Sequence, residues 1–209
     1  MRKQLFFASL LFFAASCALK PQTVELQPIA INPANLHITE KKVSVHTKDS
    51  RPMTQVLGIR LSQVLGIRHK TTRKIPFMKP QEVPYINNNQ NVSQKITDIA
   101  KEYLTGEGLV IANDGRDFEI TLEVFQYETL EKKWYQMPKT KIQLFFTSQV
   151  KNENGDVIYN GKHEYLVENT YPIFQPRAKK NQQVLNDALS QGIKRIFMDQ
   201  NLIEAIKGF

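Results

Sequence analysis

The sequence contains a single cysteine, Cys17, so no disulfide can form within the chain and no thiolate metal site is available. Its nine glycines are scattered, and none belongs to a GxSxG turn or a phosphate-cradling loop. The apolar run from Leu5 to Ala15 falls well short of the roughly twenty residues that cross a bilayer. These absences exclude a disulfide-stapled domain and a bilayer-spanning helix at the N-terminus.

The first residues instead have the composition of a secretory signal. Arg2 and Lys3 precede the apolar run, which only Ser9 interrupts and which ends in small residues. A positive start, an apolar stretch and small residues before a cleavage point are the three parts of such a signal. We expect residues 1–16 to be removed on export.

Ala14, Ala15 and Ser16 lead directly to Cys17 and match the lipobox that lipoprotein signal peptidase cleaves. The Cys17 thiol would then carry a diacylglyceryl group, and Cys17 would become the mature N-terminus. An ordinary cleavable signal followed by a chance cysteine is the alternative. Because the signal, the small residues and the sole cysteine coincide, the sequence predicts lipidation at Cys17 and a fold held by core packing alone.

The chain has a formal net charge of +8, which falls to +6 when Arg2 and Lys3 leave with the signal. Such a balance suits anionic partners such as phospholipid headgroups or lipopolysaccharide. Nucleic acid is a poor candidate for an exported protein. Four basic clusters stand out, each of which also fits a solvated face: Arg68 to Lys74, Lys132 with Lys133, Lys139 with Lys141, and Arg177 to Lys180.

The chain after the signal divides into a tether and a domain. Residues 17–40 are interpreted as a lipidated N-terminus and tether, in which Pro28 confines the alternating segment 23–31 to an edge strand or an extended conformation. Residues 41–209 are predicted to form a single α+β domain. Within it, residues 54–90 form an atypical insertion whose end, from Lys79 to Asn91, has the composition of a polar loop.

The insertion contains a tandem repeat, TQVLGIRL at 54–61 and SQVLGIRH at 62–69. An eight-residue period keeps the apolar positions of both copies on the same face of a strand. A helix is the competing interpretation, but Gly58 and Gly66 would each cost it about 1 kcal/mol. The pattern therefore favours strands.

Two amphipathic helices are predicted from the apolar periodicity. The first follows a capping box at Asn91 and Gln94 and stops at Gly106 or Gly108, and the second has Asn181 as its cap. A short final turn contains residues 202–206.

Strands are predicted at 42–46, where apolar and polar residues alternate, and at 118–124, where Val124 ends an apolar stripe. Strands at 142–150 and 157–167 are joined by a turn at Asn154 and Gly155, whose residue types allow the positive φ of a tight hairpin. The expected fold is α+β. It has an antiparallel sheet of five or six strands, including a meander in the C-terminal half, with the two helices on one face.

Five segments form a recognisable pattern: the lipobox followed by KPQTVELQPIAI, the strand KVSVHTKDSR, the helix leading into LTGEGLVI, the strand after Ile142 and the stretch QQVLNDALSQGIKRIFMDQNLIEAI. In this pattern the chain resembles the YajG-like lipoproteins of Gram-negative bacteria. The resemblance covers most of the mature chain, and residues 54–90 depart from it. It implies an anchor at Cys17 and a periplasm-facing domain on the outer membrane. Ala18 agrees with that location, because an Asp there retains a lipoprotein in the inner membrane.

The sequence predicts no catalytic, metal-binding or cofactor site, and the resemblance carries none over. His37, His46, His69 and His163 share no metal-ligand spacing. His163 lies in the apolar stripe of its strand, where a hydrogen-bonded core or sheet-edge histidine is expected. Carboxylates such as Glu119 lie on the solvent-facing side of a strand, where they are expected to interact with water rather than to form a catalytic pair.

One segment is a candidate contact patch: Lys133, Trp134 and Tyr135, where aromatic rings beside lysine would either form an interfacial surface or fold back onto the core. We expect a non-enzymatic outer-membrane lipoprotein, held by its N-terminal lipid, that binds another envelope protein as an accessory or scaffold in a trans-envelope assembly. A module that binds lipid, lipopolysaccharide or peptidoglycan is the alternative, and homo-oligomerisation stays open.

Overall fold

A computed structural model describes residues 22–27, 41–51, 55–56, 59–60, 64–67, 85–88, 91–130, 139–170 and 178–208. Within these ranges the chain forms strands and helices with the following bounds. The strands are β1 (Gln22–Val24), β2 (Lys42–Asp49), β3 (Gln55–Val56), β4 (Ile59–Arg60), β5 (Val64–Ile67), β6 (Tyr85–Asn88), β7 (Val110–Ile111), β8 (Arg116–Leu130), β9 (Lys139–Lys151) and β10 (Val157–Thr170). The helices are α1 (Val92–Gly106), α2 (Ala178–Phe197) and α3 (Gln200–Lys207).

Eight of these strands form one sheet, and β3 pairs with β4 separately. The long strands β8, β9 and β10 are consecutive and antiparallel, which confirms the predicted meander and the α+β class. The other edge of β8 has two parallel neighbours placed end to end, β2 along 116–122 and β5 at Tyr127 and Glu128. Beyond β2 lies β7, and beyond β5 lie β6 and then β1.

The helices pack on one face of the sheet, as predicted. Along β9, from Thr140 to Val150, every second side chain is buried because it faces the helices. Helix α1 packs against β2, whereas α2 contacts β9, β10 and also β1. Since β1 and β10 stand at opposite ends of the strand order, the sheet curves around α2. The helix junction is aromatic: the Tyr103 ring stacks on Phe197 with centroids 4.2 Å apart.

A β-bulge in β8 corrects the predicted apolar stripe of that strand. The register to β9 shifts between Leu122 and Val124, so the buried positions change from even to odd numbers, and Phe125 rather than Val124 enters the core. Val124 turns to the opposite face, where it pairs with Phe145 and is half-buried. A bulge adds one residue to one strand only, and period-two alternation cannot anticipate it.

The helix ends agree with the sequence in part. Asn91 caps α1, because its side chain accepts from Gln94 N, and Gly108 follows the helix with a φ of 89°. Asn181, in contrast, is not a cap: α2 begins at Ala178, and Asn181 lies buried in the first turn. The predicted final turn is the helix α3, capped by Asp199.

The repeat forms strands, as favoured, but its two copies differ. The second copy supplies β5, which joins the main sheet, whereas the first contains the short antiparallel pair β3 and β4. The prediction of a polar loop over 79–91 is wrong at residues 85–88, because β6 forms there between β1 and β5. Residues 28–40 and 68–84 lie outside the described ranges.

Candidate functional site

The anchor and the contact patch that the sequence predicts lie outside the described ranges. This holds for the anchor position Cys17, for Ala14, Ala15 and Ser16 before it, and for the patch of Lys133, Trp134 and Tyr135. The described ranges contain three other features with functional potential: an open strand edge, a buried polar network and a charged cleft.

The open edge belongs to β10, a strand of 14 residues that pairs with β9 alone among the described strands. On the face away from the helices its side chains alternate in character. Ile158 and Leu166 are 43% and 48% exposed, and Lys162 and Glu164 lie exposed between them. A long edge strand is a template for a further strand unless something protects it.

Arg195 partly protects this edge. Its Nη1 atom donates to the backbone oxygen of Glu164 at 2.7 Å, and its guanidinium lies 5.2 Å from the centroid of the Tyr165 ring. The side chain therefore reaches from α2 to the backbone of β10 and occupies one carbonyl. A strand that adds to β10 must displace this hydrogen bond.

The open face of the sheet is polar, and many of its charges are matched across strands. Gln143 Nε2 donates to Glu164 Oε1 at 3.0 Å, and the Lys151 ammonium lies 3.8 Å from Asp117. Val124 and Phe145 form a half-buried apolar pair among these groups. This face suits contact with a polar surface better than insertion into an apolar one.

A polar network that the sequence did not predict lies between β9, β10 and α3. His163 Nε2 is 2.7 Å from Ser148 Oγ and 3.4 Å from the Tyr159 hydroxyl. Tyr159 in turn donates to Asp199 Oδ2 at 2.6 Å, and Asp199 Oδ1 accepts from the backbone of Asn201 and Leu202. The expectation that His163 is a hydrogen-bonded core or sheet-edge residue is confirmed, since it is 8% exposed and lies on the edge strand β10.

The pKa values in this network are shifted by burial and by hydrogen bonds. Burial lowers the pKa of His163, although the nearby Asp199 charge opposes this, so the imidazole is held neutral. Burial also raises the pKa of Tyr159, and the bond to Asp199 adds to the rise. For Asp199, burial acts to raise the pKa, but the bonds from Tyr159, Leu202 and Asn201 outweigh it and the pKa is lowered.

This network resembles a catalytic triad in residue types but not in geometry. A triad needs a nucleophile open to substrate and a carboxylate that orients the imidazole. Here Ser148 is wholly buried, and Asp199 bonds Tyr159. The arrangement ties β10 to the start of α3. Gly161 makes room for it, because a Cβ there would overlap the Tyr159 hydroxyl.

A charged cleft of about 300 Å³ lies at the end of the sheet where β2 and β8 begin. It is lined by residues that include Lys41, Lys42, Asp114 and Arg116. Three of its basic side chains have partners within the fold. Lys41 donates to Lys207 O and Arg116 to Ala205 O, both at the C-terminal end of α3. The Lys42 ammonium bonds Asp114 and lowers the pKa of that carboxyl. The cleft therefore stabilises the α3 terminus.

In the part of the chain that the structure describes, no three His, Cys, Asp or Glu side chains come together as a metal site. Within the same ranges, no helix combines the length and apolar character needed to cross a membrane.

The sequence analysis did not predict the network around Asp199. One part of it could have been found, because an Asp directly before the apolar stripe of α3 is a standard N-cap.

Comparison with known proteins places the chain in a class. A family model described as "Uncharacterized lipoprotein" matches residues 68–207, well over half of the 209 residues. The chain belongs to this lipoprotein family. No functionally curated protein matches it.

Solved structures offer distant likenesses. A minor lipoprotein from Acinetobacter baumannii is 12% identical with a TM-score of 0.42, and 78% of this chain and 94% of that one are covered. A neuraminyllactose-binding hemagglutinin homolog from Helicobacter pylori is 7% identical with a TM-score of 0.44, at 87% and 96% coverage. A hypothetical protein from Chlamydia trachomatis is 7% identical with a TM-score of 0.33, at 82% and 98% coverage. Likenesses this weak have no bearing on function.

Proposed function

We propose that this lipoprotein is a non-enzymatic binding protein, anchored by lipid at Cys17 to the periplasmic face of the outer membrane, that takes up an extended segment of another envelope protein along β10. The observation that carries the proposal is the 14-residue edge of β10, which pairs on one side only among the described strands. The lipobox and Ala18 support the anchor and its location, as does the resemblance of the sequence to the YajG-like lipoproteins.

Strand addition explains what this edge offers a partner. Backbone N–H and C=O groups supply affinity that is independent of sequence, and alternate side chains supply selectivity. On the open face, Lys162 favours an acidic residue opposite it and Glu164 a basic one, while Ile158 and Leu166 favour apolar neighbours. The expected partner segment is therefore extended and alternates apolar with charged residues.

The buried network supports a binding role over catalysis. The serine beside its histidine, Ser148, is inaccessible to a substrate, and in the charged cleft Lys42 and Arg116 bond to groups within the fold. In contrast, Ile158 and Leu166 are large apolar side chains on the surface, beside an unpaired backbone.

Site-specific photo-crosslinking in cells tests this function. A photoreactive residue at Leu166 and, separately, at Ile158 should each trap the same envelope protein. The matched control is Glu102, an exposed residue of α1 on the other side of the fold, which should trap none of it. In the protein labelled at 166, the change Ile158→Lys should reduce the adduct, because lysine on an edge strand discourages strand addition.

Each other outcome counts against the proposal. Adducts that form equally at Glu102 would show contact without a defined surface. An adduct between two copies of this chain would assign the edge to self-association, and lipid or glycan adducts alone would favour the ligand-binding alternative. The intact mass of the membrane-extracted protein reports the anchor separately, since a diacylglyceryl group and an N-acyl chain add a defined mass at Cys17.

A further inference from the structure

The position of β1 determines which end of the domain lies next to the anchor. Gln22 pairs with Ile86, Ile86 pairs with Gly66, and Gly66 pairs with Tyr127, so the four residues lie at one level of the sheet. β1 runs parallel to β6, antiparallel to β5 and hence antiparallel to β8. The chain that precedes Gln22 therefore leaves the sheet in the direction in which β8 runs, towards Leu130.

The reach of the preceding chain is short. Only five peptide steps separate Cys17 from Gln22, and fully extended they span at most about 18 Å. If the lipid of Cys17 lies in the membrane, the level of Tyr127 is within that distance of the headgroups. We define the tether end as the described residues at this end of the domain, at and beyond the level of Tyr127.

The tether end carries lysines from both layers of the fold. Lys139 and Lys141 begin β9 on the open face, and Lys179 and Lys180 lie exposed in the first turn of α2. The buried bond from the Tyr127 hydroxyl to Asn181 joins that turn to the level of β1. Two acidic residues share the end: Glu168, 3.9 Å from Lys139, and Glu128, which pairs with Lys141 in the β8–β9 register.

The first turn of α2 is basic against the preference of a helix. The N-terminus of a helix carries partial positive charge and favours Asp or Glu nearby. Here the first turn has no acidic residue, and Lys180 donates only to the neutral Gln183 at 3.2 Å. Among the described residues, no carboxylate forms an ion pair with Lys179 or Lys180. These charges do not serve the stability of the helix.

The opposite end of the domain differs. There Lys42 is paired with Asp114, and Lys41 and Arg116 are bonded to the terminus of α3. These three basic side chains are thus bonded within the fold, whereas Lys179 and Lys180 are left for an external partner. The unmatched charge lies at the end that the tether holds next to the membrane.

We infer that the tether end is a second membrane contact, in which Lys179 and Lys180, supported by Lys139 and Lys141, bind anionic lipid headgroups of the bilayer that holds the acyl chains. This rests on the anchor in the proposed function. Lysines within a Debye length of an anionic surface, about 8 Å at physiological ionic strength, are attracted to it. The contact fixes the orientation of the domain and holds the far ends of β8 and β10 away from the bilayer.

Distance measurements on the lipidated, full-length mature protein test the inference. Because Cys17 is the only cysteine, a new one takes a fluorophore selectively once Cys17 is acylated. We would place it at Thr170, which pairs with Lys139 at the tether end, or at Glu153 in the turn at the opposite end. Quenching by a headgroup-bound quencher is compared in vesicles of phosphatidylcholine with and without phosphatidylglycerol.

We expect phosphatidylglycerol to increase quenching at Thr170 several-fold and to leave Glu153 little changed. Salt at 1 M, where the Debye length is about 3 Å, should remove the increase. The pair Lys179→Glu and Lys180→Glu should also remove it. The matched control is Lys48→Glu with Lys194→Glu, an equal change in charge at two exposed lysines away from the tether end. Lys48 lies at the level of Thr121, roughly 17 Å along the sheet from Tyr127, and Lys194 lies in the last turn of α2.

The outcomes separate the two proposals. If the intact mass shows no lipid on Cys17, the anchor is wrong and this inference falls with it. If the lipid is present but quenching at Thr170 ignores phosphatidylglycerol, or if both double variants behave alike, the anchor stands and the second contact is overturned. Loss of the photo-crosslinks at Leu166 and Ile158 would bear on the partner alone.

Discussion

The hydroxyl of Tyr127 on β8 donates to Asn181 Oδ1 on α2 at 2.9 Å, and both side chains are wholly buried. Through this bond the sheet positions the first turn of the helix that carries Lys179 and Lys180. A neutral hydrogen bond contributes about 1 kcal/mol net, and a buried polar group that loses its partner costs about 1–3 kcal/mol.

Tyr127→Phe should therefore lower the free energy of unfolding by about 1–2 kcal/mol, because it removes the hydroxyl and keeps the ring. Urea denaturation at neutral pH measures the change. The control is Tyr165→Phe in β10, on the same face of the sheet. Its side chain is only half-buried, so a change within about 0.5 kcal/mol is expected. Equal losses at both positions would contradict a special role for the Tyr127 bond.

The network around His163 predicts a loss of stability in mild acid. Burial lowers the pKa of His163 below its ordinary 6.5, so the unfolded chain binds this proton more readily than the folded one. The stabilising contribution is fully present above pH 6.5 and is lost as the pH falls through the folded pKa. Because the pKa of Asp199 is lowered below 3.8, its contribution to stability is present above pH 3.8 and is lost as the pH falls through the folded pKa.

Denaturation midpoints across the pH range separate the two groups. In the wild type, the denaturant concentration at the midpoint should decrease as the pH is lowered from 6.5. His163→Gln, which keeps a donor and an acceptor, should reduce this dependence of the midpoint on pH. The fall that begins below pH 3.8 should persist in the variant. An unchanged slope below pH 6.5 in His163→Gln would assign the mild-acid effect to another group.

The lysines at the start of α2 predict a gain in stability on charge reversal. Glutamate at positions 179 and 180 would face the positive end of the helix dipole, so the double change should stabilise the fold by about 0.3–1 kcal/mol per site at low salt. Thermal or urea unfolding of the protein in solution measures it. A fall in stability would mean that Lys179 or Lys180 has a structural role within the fold.

Arg195 predicts a trade between stability and edge pairing. Arg195→Met removes the bond to Glu164 O and the contact with the Tyr165 ring, and we expect a loss of about 0.5–1.5 kcal/mol. The freed edge should give stronger crosslinking to the partner from Leu166, or self-association in sedimentation velocity. Lys194→Met, one residue away without such a contact, is the control, and equal crosslinking in both would show that Arg195 does not protect the edge.

Sequence periodicity predicted the strands of the meander, the two long helices and the buried place of His163, because each depends on local alternation or on a 3.6-residue repeat. It placed Val124 on the wrong face, since a bulge depends on the neighbouring strand. It missed β6 at 85–88, because a polar stretch becomes a strand only when β1 and β5 supply its partners. The basic residues at the tether end were visible in the sequence as separate clusters. Only the strand register and the bond from Tyr127 to Asn181 bring Lys139 and Lys179 to the same end.

The pairing of the N-terminal strands with later strands affects the order in which the protein folds. β2 pairs with β7 and β8, and β1 pairs with β6, so the first strands to emerge find their partners only in later parts of the chain. The local meander of β8 to β10 can form early, whereas the N-terminal strands join it through distant contacts, which form slowly. Under the proposed anchor, this order of folding would leave Cys17 accessible to the enzymes that cleave the signal and attach the lipid before the N-terminal strands join the sheet.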